Sequence, residues 1–150
     1  MIWNPDDKER TALHEAGHAV VAWSFGVAVV KCLYLDPKTH GGGAPIASTA
    51  HLERFEQIAN WLAGFEAEEA FMHPGRKYNA EGDFGEVRRI LRENGTSKDE
   101  PEGKALCERG RSCAEERLRE HATKVRQIAD HLVEHHYMDR VAFEAVMKEP

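Results

Sequence analysis

The sequence lacks any apolar run long enough to cross a bilayer. Its longest, "AVVAWSFGVAVV", is interrupted by Ser24 and Gly26 and falls short of the ~20 residues that a membrane helix needs. Positive charge is also scarce: 20 Lys and Arg face 26 Asp and Glu, for a formal net charge of -6. That balance argues against a general nucleic-acid or anionic-membrane surface, since both need a basic face. Cysteine is sparse. Cys32, Cys107 and Cys113 are odd in number and irregularly spaced, so they suggest neither a disulfide framework nor a second metal. The expectation is that no signal peptide precedes them and that they are reduced thiols in a cytoplasmic protein. No GxxxxGK[ST] segment occurs, which argues against a P-loop ATPase. Repeats and low-complexity tracts are missing as well.

What is present fits one ordinary domain over residues 1–150, with 41% hydrophobic and 31% charged residues. A first helix opens at Asn4 as N-cap with Pro5 in the first turn, and Gly26 is its stop. "VAVVKCLYL" reads as a strand and "PIAST" as a short second one, giving a hairpin that needs helices against it. Residues 51–72 return to a helical period. "HPGRKYNAEG" reads as a loop. "DFGEVRRILRENG" reads as a short helix with Asp83 and Glu86 as a capping box and Gly95 as its stop. "TSKDEPEG" is linker-like. One long polar helix is expected from Ala105 to His136, with Leu118, Val125, Ile128 and Leu132 as its apolar stripe, before a last turn or two in "MDRVAFEAVM". The fold class is therefore mainly α with a small β-hairpin or sheet, α+β. A metal-site core is expected in 1–100 and C-terminal helices in 101–150.

The chemistry gathers at His14-Glu15-Ala16-Gly17-His18. Residues four apart share a helix face, so both imidazoles can reach one zinc ion, and Glu15 projects beside it to take a proton from an activated water. In a chain with 9 His and 19 Glu this HExxH pattern arises by chance about 0.07 times. The inverted pattern also occurs, in "HLVEH" from His131 to His135. Context separates them. His14 and His18 lie in the most apolar helix, where unpartnered imidazoles are costly, whereas His131 and His135 sit among Arg126, Asp130, Glu134 and His136 as a solvated face. Gly17 costs its helix about 1 kcal/mol relative to alanine, which implies that another chain segment comes close. A third ligand is required, and spacing leaves Glu66, Glu68, Glu69, Glu81, Asp83 and Glu86 all open. His40, His51, His73 and His121 read as surface or loop residues.

These residues resemble the peptidase domain of the FtsH-type ATP-dependent zinc metalloproteases. "HEAGHAVV" is similar to the family's zinc-binding helix. "LAGFEAEEAFM" resembles its Gly-Gly-Arg-x-Ala-Glu-Glu segment, with Phe65 in place of the arginine. "AEGDF" resembles the Ala-Glu-Asn-Asp-Leu segment whose aspartate completes the metal site. The resemblance covers most of the chain. The family's Thr-Thr-Gly appears as "KYN", and the expectation is a stand-alone domain without the family's ATPase module and membrane anchor.

The resemblance implies a zincin-like helical metallopeptidase domain holding one Zn2+ per chain. It makes His14, His18 and Asp83 the zinc ligands, Glu15 the general base and Glu68 an outer partner that orients a histidine. "GGGAPIAST" falls where the family presents a sheet edge to an extended peptide, and a plain hairpin turn is the equal alternative. The expected function is a stand-alone zinc-dependent metalloendopeptidase acting on peptides or unfolded protein segments, ATP-independent by itself. A separate ATPase and ring-like self-association are the partners that the resemblance suggests. The alternative is a catalytically inactive, zinc-stabilised peptide-binding or regulatory module of the same fold.

Overall fold

A computed structural model describes residues 2–76 and 80–150. The "KYN" segment, Lys77 to Asn79, lies outside the described residues. The chain is mainly helical with one small antiparallel sheet. Its first helix, α1, runs Pro5–Ser24, and the Asn4 side chain accepts from the backbone N–H groups of Asp6 and Asp7 at its start. Gly26 ends it at φ 74°, in the left-handed region that glycine enters freely. α1 is buried on most of its circumference, from Ala12 and Leu13 through Val20 and Val21, because α2 and α5 both pack on it.

The sheet is made of β1 (Cys32–Asp36), β2 (Gly41–Gly43) and β3 (Tyr137–Asp139), in the order β2-β1-β3. Leu35 stands opposite Gly42, and Leu33 opposite Met138. Alternation puts Leu33, Leu35 and Met138 in the core and leaves Tyr34 and Tyr137 outside. Two expectations are corrected here. The strand anticipated from Val27 is regular only from Cys32, and "PIAST" supplies a single bridge, Ile46 to Val29, rather than a strand. The hairpin partner is instead the glycine run. β1 is also central rather than half of a hairpin, because β3 arrives from the far end of the sequence. The C-terminal part therefore completes the sheet of the N-terminal part.

α2 (Arg54–Phe71) lies across α1. A Cβ at Gly17 would stand 2.6 Å from Ala67 Cβ and 2.8 Å from Ala63 O, so the two helices approach at a point where only glycine fits. α3 (Glu81–Glu93) packs on α2 through Val87, Ile90 and Leu91 against Ile58. Gly95, at φ 75°, follows it. The single long helix expected next is two, α4 (Pro101–Glu120) and α5 (Ala122–His135), divided at His121. Leu118, Val125, Ile128 and Leu132 are all buried in the main core, as their stripe implied. α6 (Arg140–Lys148) closes the chain with Phe143 fully buried. Among the described residues no helix is long and apolar enough to cross a membrane.

Candidate metal centre

α1 and α2 meet α3 at one buried point. His14, His18 and Asp83 converge there as a group able to hold a metal ion, with one ligand atom from each within 4.8 Å of the others. His14 Nε2 and His18 Nε2 are 3.1 Å apart, and each is 3.0 Å from Asp83 Oδ2. Both rings are anchored from behind. His18 Nδ1 donates to the carbonyl of Asn60 at 3.0 Å, and His14 Nδ1 donates to Glu68 Oε2 at 2.8 Å. A carbonyl only accepts, so the His18 proton belongs on Nδ1 and its Nε2 lone pair faces the group. The carboxylate of Glu68 directs His14 the same way.

Three acceptors this close repel one another unless a cation sits among them. In the metal-free chain that cation is a proton. Burial opposes charge on His14, but the carboxylates of Asp83 and Glu68 outweigh it and raise its pKa to about 10. Burial likewise works against the charge of Asp83, yet its bonds to His14 and His18 hold its carboxyl well below the usual range. A metal ion fits the same place. Tetrahedral zinc with bonds of about 2.0–2.1 Å sets its ligand atoms about 3.3 Å apart. The edges here are 3.0 to 3.1 Å.

Local sequence explains the placement. Gly64 lies flat against His14: a Cβ there would stand 2.5 Å from Nε2, so α2 leaves room for the ring only as glycine. Glu68, one turn further on α2, is wholly buried beneath it. Asp83 belongs to the first turn of α3, not to its cap. The N-cap is Ala80, with no side-chain hydrogen bond, and the Asp83 carboxylate turns to the histidines instead. The capping-box reading of Asp83 and Glu86 is thus corrected, and Glu86 bonds to Arg89 at 2.6 Å.

The other open candidates for third ligand lie elsewhere. Glu69 meets His73 at 2.6 Å, Glu81 is exposed, and Glu66 lies beside Arg111, with burial pushing its carboxyl up to about 7. His131 and His135 lie near each other, with ring centroids 4.6 Å apart, but belong to no metal-holding group among the described residues. Of the loop histidines, His40 stacks on Trp3 at 4.8 Å, His51 is exposed and His121 marks the break between α4 and α5. The three cysteines are free.

Glu15 stands beside the group on α1. No described residue donates a hydrogen bond to its carboxylate, and burial pushes its pKa up against the pull of the two histidines. It opens on a cleft of about 940 Å³ whose walls are Gly42 to Ala50, α2 and α3. Gly42 is close enough that a Cβ there would lie 3.1 Å from Glu15 Oε2. The glycine run is an edge strand, and its outer side borders this cleft.

Three contributors carry no local sequence signal. Asn60 acts through its backbone carbonyl. Arg76 donates its backbone N–H to Glu68 Oε1 at 3.2 Å, and its guanidinium donates to Asp7 Oδ1 at 2.5 Å. A chain of groups thus runs Asp7–Arg76–Glu68–His14 toward the centre. Among known proteins, no family model matches this chain and no curated protein matches it in sequence.

Proposed function

We propose that the chain is a zinc-dependent metalloendopeptidase with a zincin-like fold, on the resemblance of its motifs to the FtsH-type peptidase domain. The observation that carries this reading is the convergence of His14 Nε2, His18 Nε2 and Asp83 Oδ2, with Glu15 free at the edge of the same cleft. His14, His18 and Asp83 would hold the zinc ion, and Glu68 and the Asn60 carbonyl keep the two rings in ligand geometry. Bound there, zinc would supply Lewis acidity toward a peptide carbonyl and lower the pKa of an attacking water.

The protein's own groups do the rest. Glu15 accepts the proton of the attacking water and passes it to the departing amine; burial raises its pKa above the usual carboxylate range, which strengthens it as a proton acceptor. The edge of β2 offers backbone N–H and C=O groups to an extended peptide, so that a substrate segment would join as a further strand. Peptides and unfolded segments are therefore the proposed substrates. A separate ATPase and self-association in a ring are proposed partners on the resemblance alone, in the cytoplasm.

Metal binding does not require Glu15, and its position favours the enzyme over the inactive peptide-binding module. The test is cleavage of unstructured peptides by zinc-loaded protein and by Glu15→Gln. The enzyme reading expects a loss of about a hundredfold or more with zinc retained. Binding without cleavage, indifferent to that substitution, would establish the module instead.

A further inference from the structure

The cleft has two helical walls, and both lead away from the metal centre. α3 runs antiparallel to α2: Phe84 meets Phe65 with ring centroids 5.5 Å apart, and further along Ile90 and Leu91 pack on Ile58. On α2, Asn60 touches His18, and Arg54, six residues earlier, faces the same cleft. On α3, Asp83 touches both histidines, and Arg89, six residues later, also faces it. At 1.5 Å per residue, Arg54 lies about 9 Å along α2 from Asn60, and Arg89 about 9 Å along α3 from Asp83.

The two arginines are not equivalent. Arg89 is neutralised, its Nε and Nη1 donating to Glu86 and Glu93 at 2.6 and 2.8 Å. Arg54 is exposed, and no carboxylate among the described residues pairs with it. Glu93, which lines the same cleft, is already held by Arg89. An extended peptide advances about 3.3 Å per residue, so about 9 Å corresponds to three residues.

Building on the peptidase reading of this cleft, we propose that Arg54 selects substrates carrying a carboxylate about three residues from the peptide bond held at the metal centre. The planar guanidinium can meet a carboxylate with two parallel hydrogen bonds, which fixes distance as well as charge. An Asp or Glu side chain and the free C-terminus of a short peptide present the same group.

Binding is the first readout, because it needs no turnover. Zinc-loaded Glu15→Gln protein is titrated with fluorescein-labelled neutral octapeptides, amidated at the C-terminus, that carry one Glu at successive positions. A matching Gln series and a neutral series of graded length with free C-termini accompany them. One Glu position should bind about five- to tenfold tighter than its Gln counterpart at low salt. Adding Arg54→Gln should bring that ratio to one, and Arg54→Lys should keep part of it. Tighter binding by free-ended peptides of a single length would assign the carboxylate to the C-terminus instead of a side chain. Equal binding of the Glu and Gln series with no free-end preference, or a preference that survives Arg54→Gln, would overturn the proposal. Cleavage by protein with Glu15 intact separates the two readings. Equal turnover of acidic and neutral peptides would remove the role of Arg54 and leave the peptidase standing. Acid-selective binding without turnover would do the reverse.

Discussion

The chain contains two histidine pairs of the same spacing, and they come to different ends. His14 and His18 have ring centroids 4.8 Å apart, and His131 and His135 4.6 Å. Helical periodicity thus delivers two neighbouring imidazoles in both places. What differs is everything around them. The first pair has a partner behind each ring and an aspartate in front, all at 3.0 Å or less. In the second, the side chain of His135 is 54% exposed and, beyond the His131 ring, lies beside Glu134 at 3.7 Å, itself 76% exposed. Spacing brings rings together; fixed tautomers and a third donor make a candidate metal site of them.

Substitutions can break or sharpen this contrast. The largest effect is expected from His18→Ala, which should cost more zinc affinity than the ~10–100-fold typical of losing an outer partner. His131→Ala and His135→Ala should leave affinity unchanged, and competition titration against a chromophoric chelator reads all three. Next comes Glu68→Gln, which weakens the hold on His14 while preserving its shape. About ten- to a hundredfold lower zinc affinity is expected, with Arg76→Ala, which keeps the backbone N–H but removes the guanidinium 3.8 Å from Glu68 Oε1, giving a smaller loss in the same assay.

Glycine offers a control within the site. Gly64→Ala forces a methyl group to 2.5 Å from His14 and should destabilise the protein by about 1–3 kcal/mol in urea unfolding. Gly82→Ala meets nothing within 4 Å and should cost nothing measurable.

The mildest test is pH. The pKa of His14 rises from 6.5 to about 10 in the metal-free fold. Its protonated form therefore contributes stability that is fully present below about 6.5 and is lost as pH rises through about 10. Zinc displaces that proton, so the loaded protein should lack this decline. About one proton should be released per zinc at pH 7, with affinity climbing about tenfold per pH unit, as calorimetry in buffers of different ionisation heat would show. Equal alkaline decline with and without zinc would contradict the assignment of the proton to this centre.

Local chemistry made part of this molecule legible in its sequence. Asn4, Pro5 and Gly26 mark the ends of α1 because capping and left-handed turns are decided within a few residues. The HExxH face is legible for the same reason. Gly17 implied a close neighbour, and Ala63 and Ala67 are that neighbour. What escaped depends on contacts distant in sequence. β2 is three glycines, which carry little strand propensity and pair only because β1 is beside them. β3 is three residues long and finds β1 across roughly a hundred residues of chain. The break at His121 lacks Gly and Pro. Asp83 reads equally well as a cap or a ligand until α3 is set against α1, and Asn60 contributes a backbone oxygen that any residue would supply.

The most direct measurement is the zinc anomalous difference density of crystals of the untagged protein grown with zinc. A single strong peak per chain, bonded to His14 Nε2, His18 Nε2 and Asp83 Oδ2 at about 2.0–2.2 Å with Glu15 alongside, is the expected result. No peak at that point, or one at His131 and His135 instead, would contradict the account.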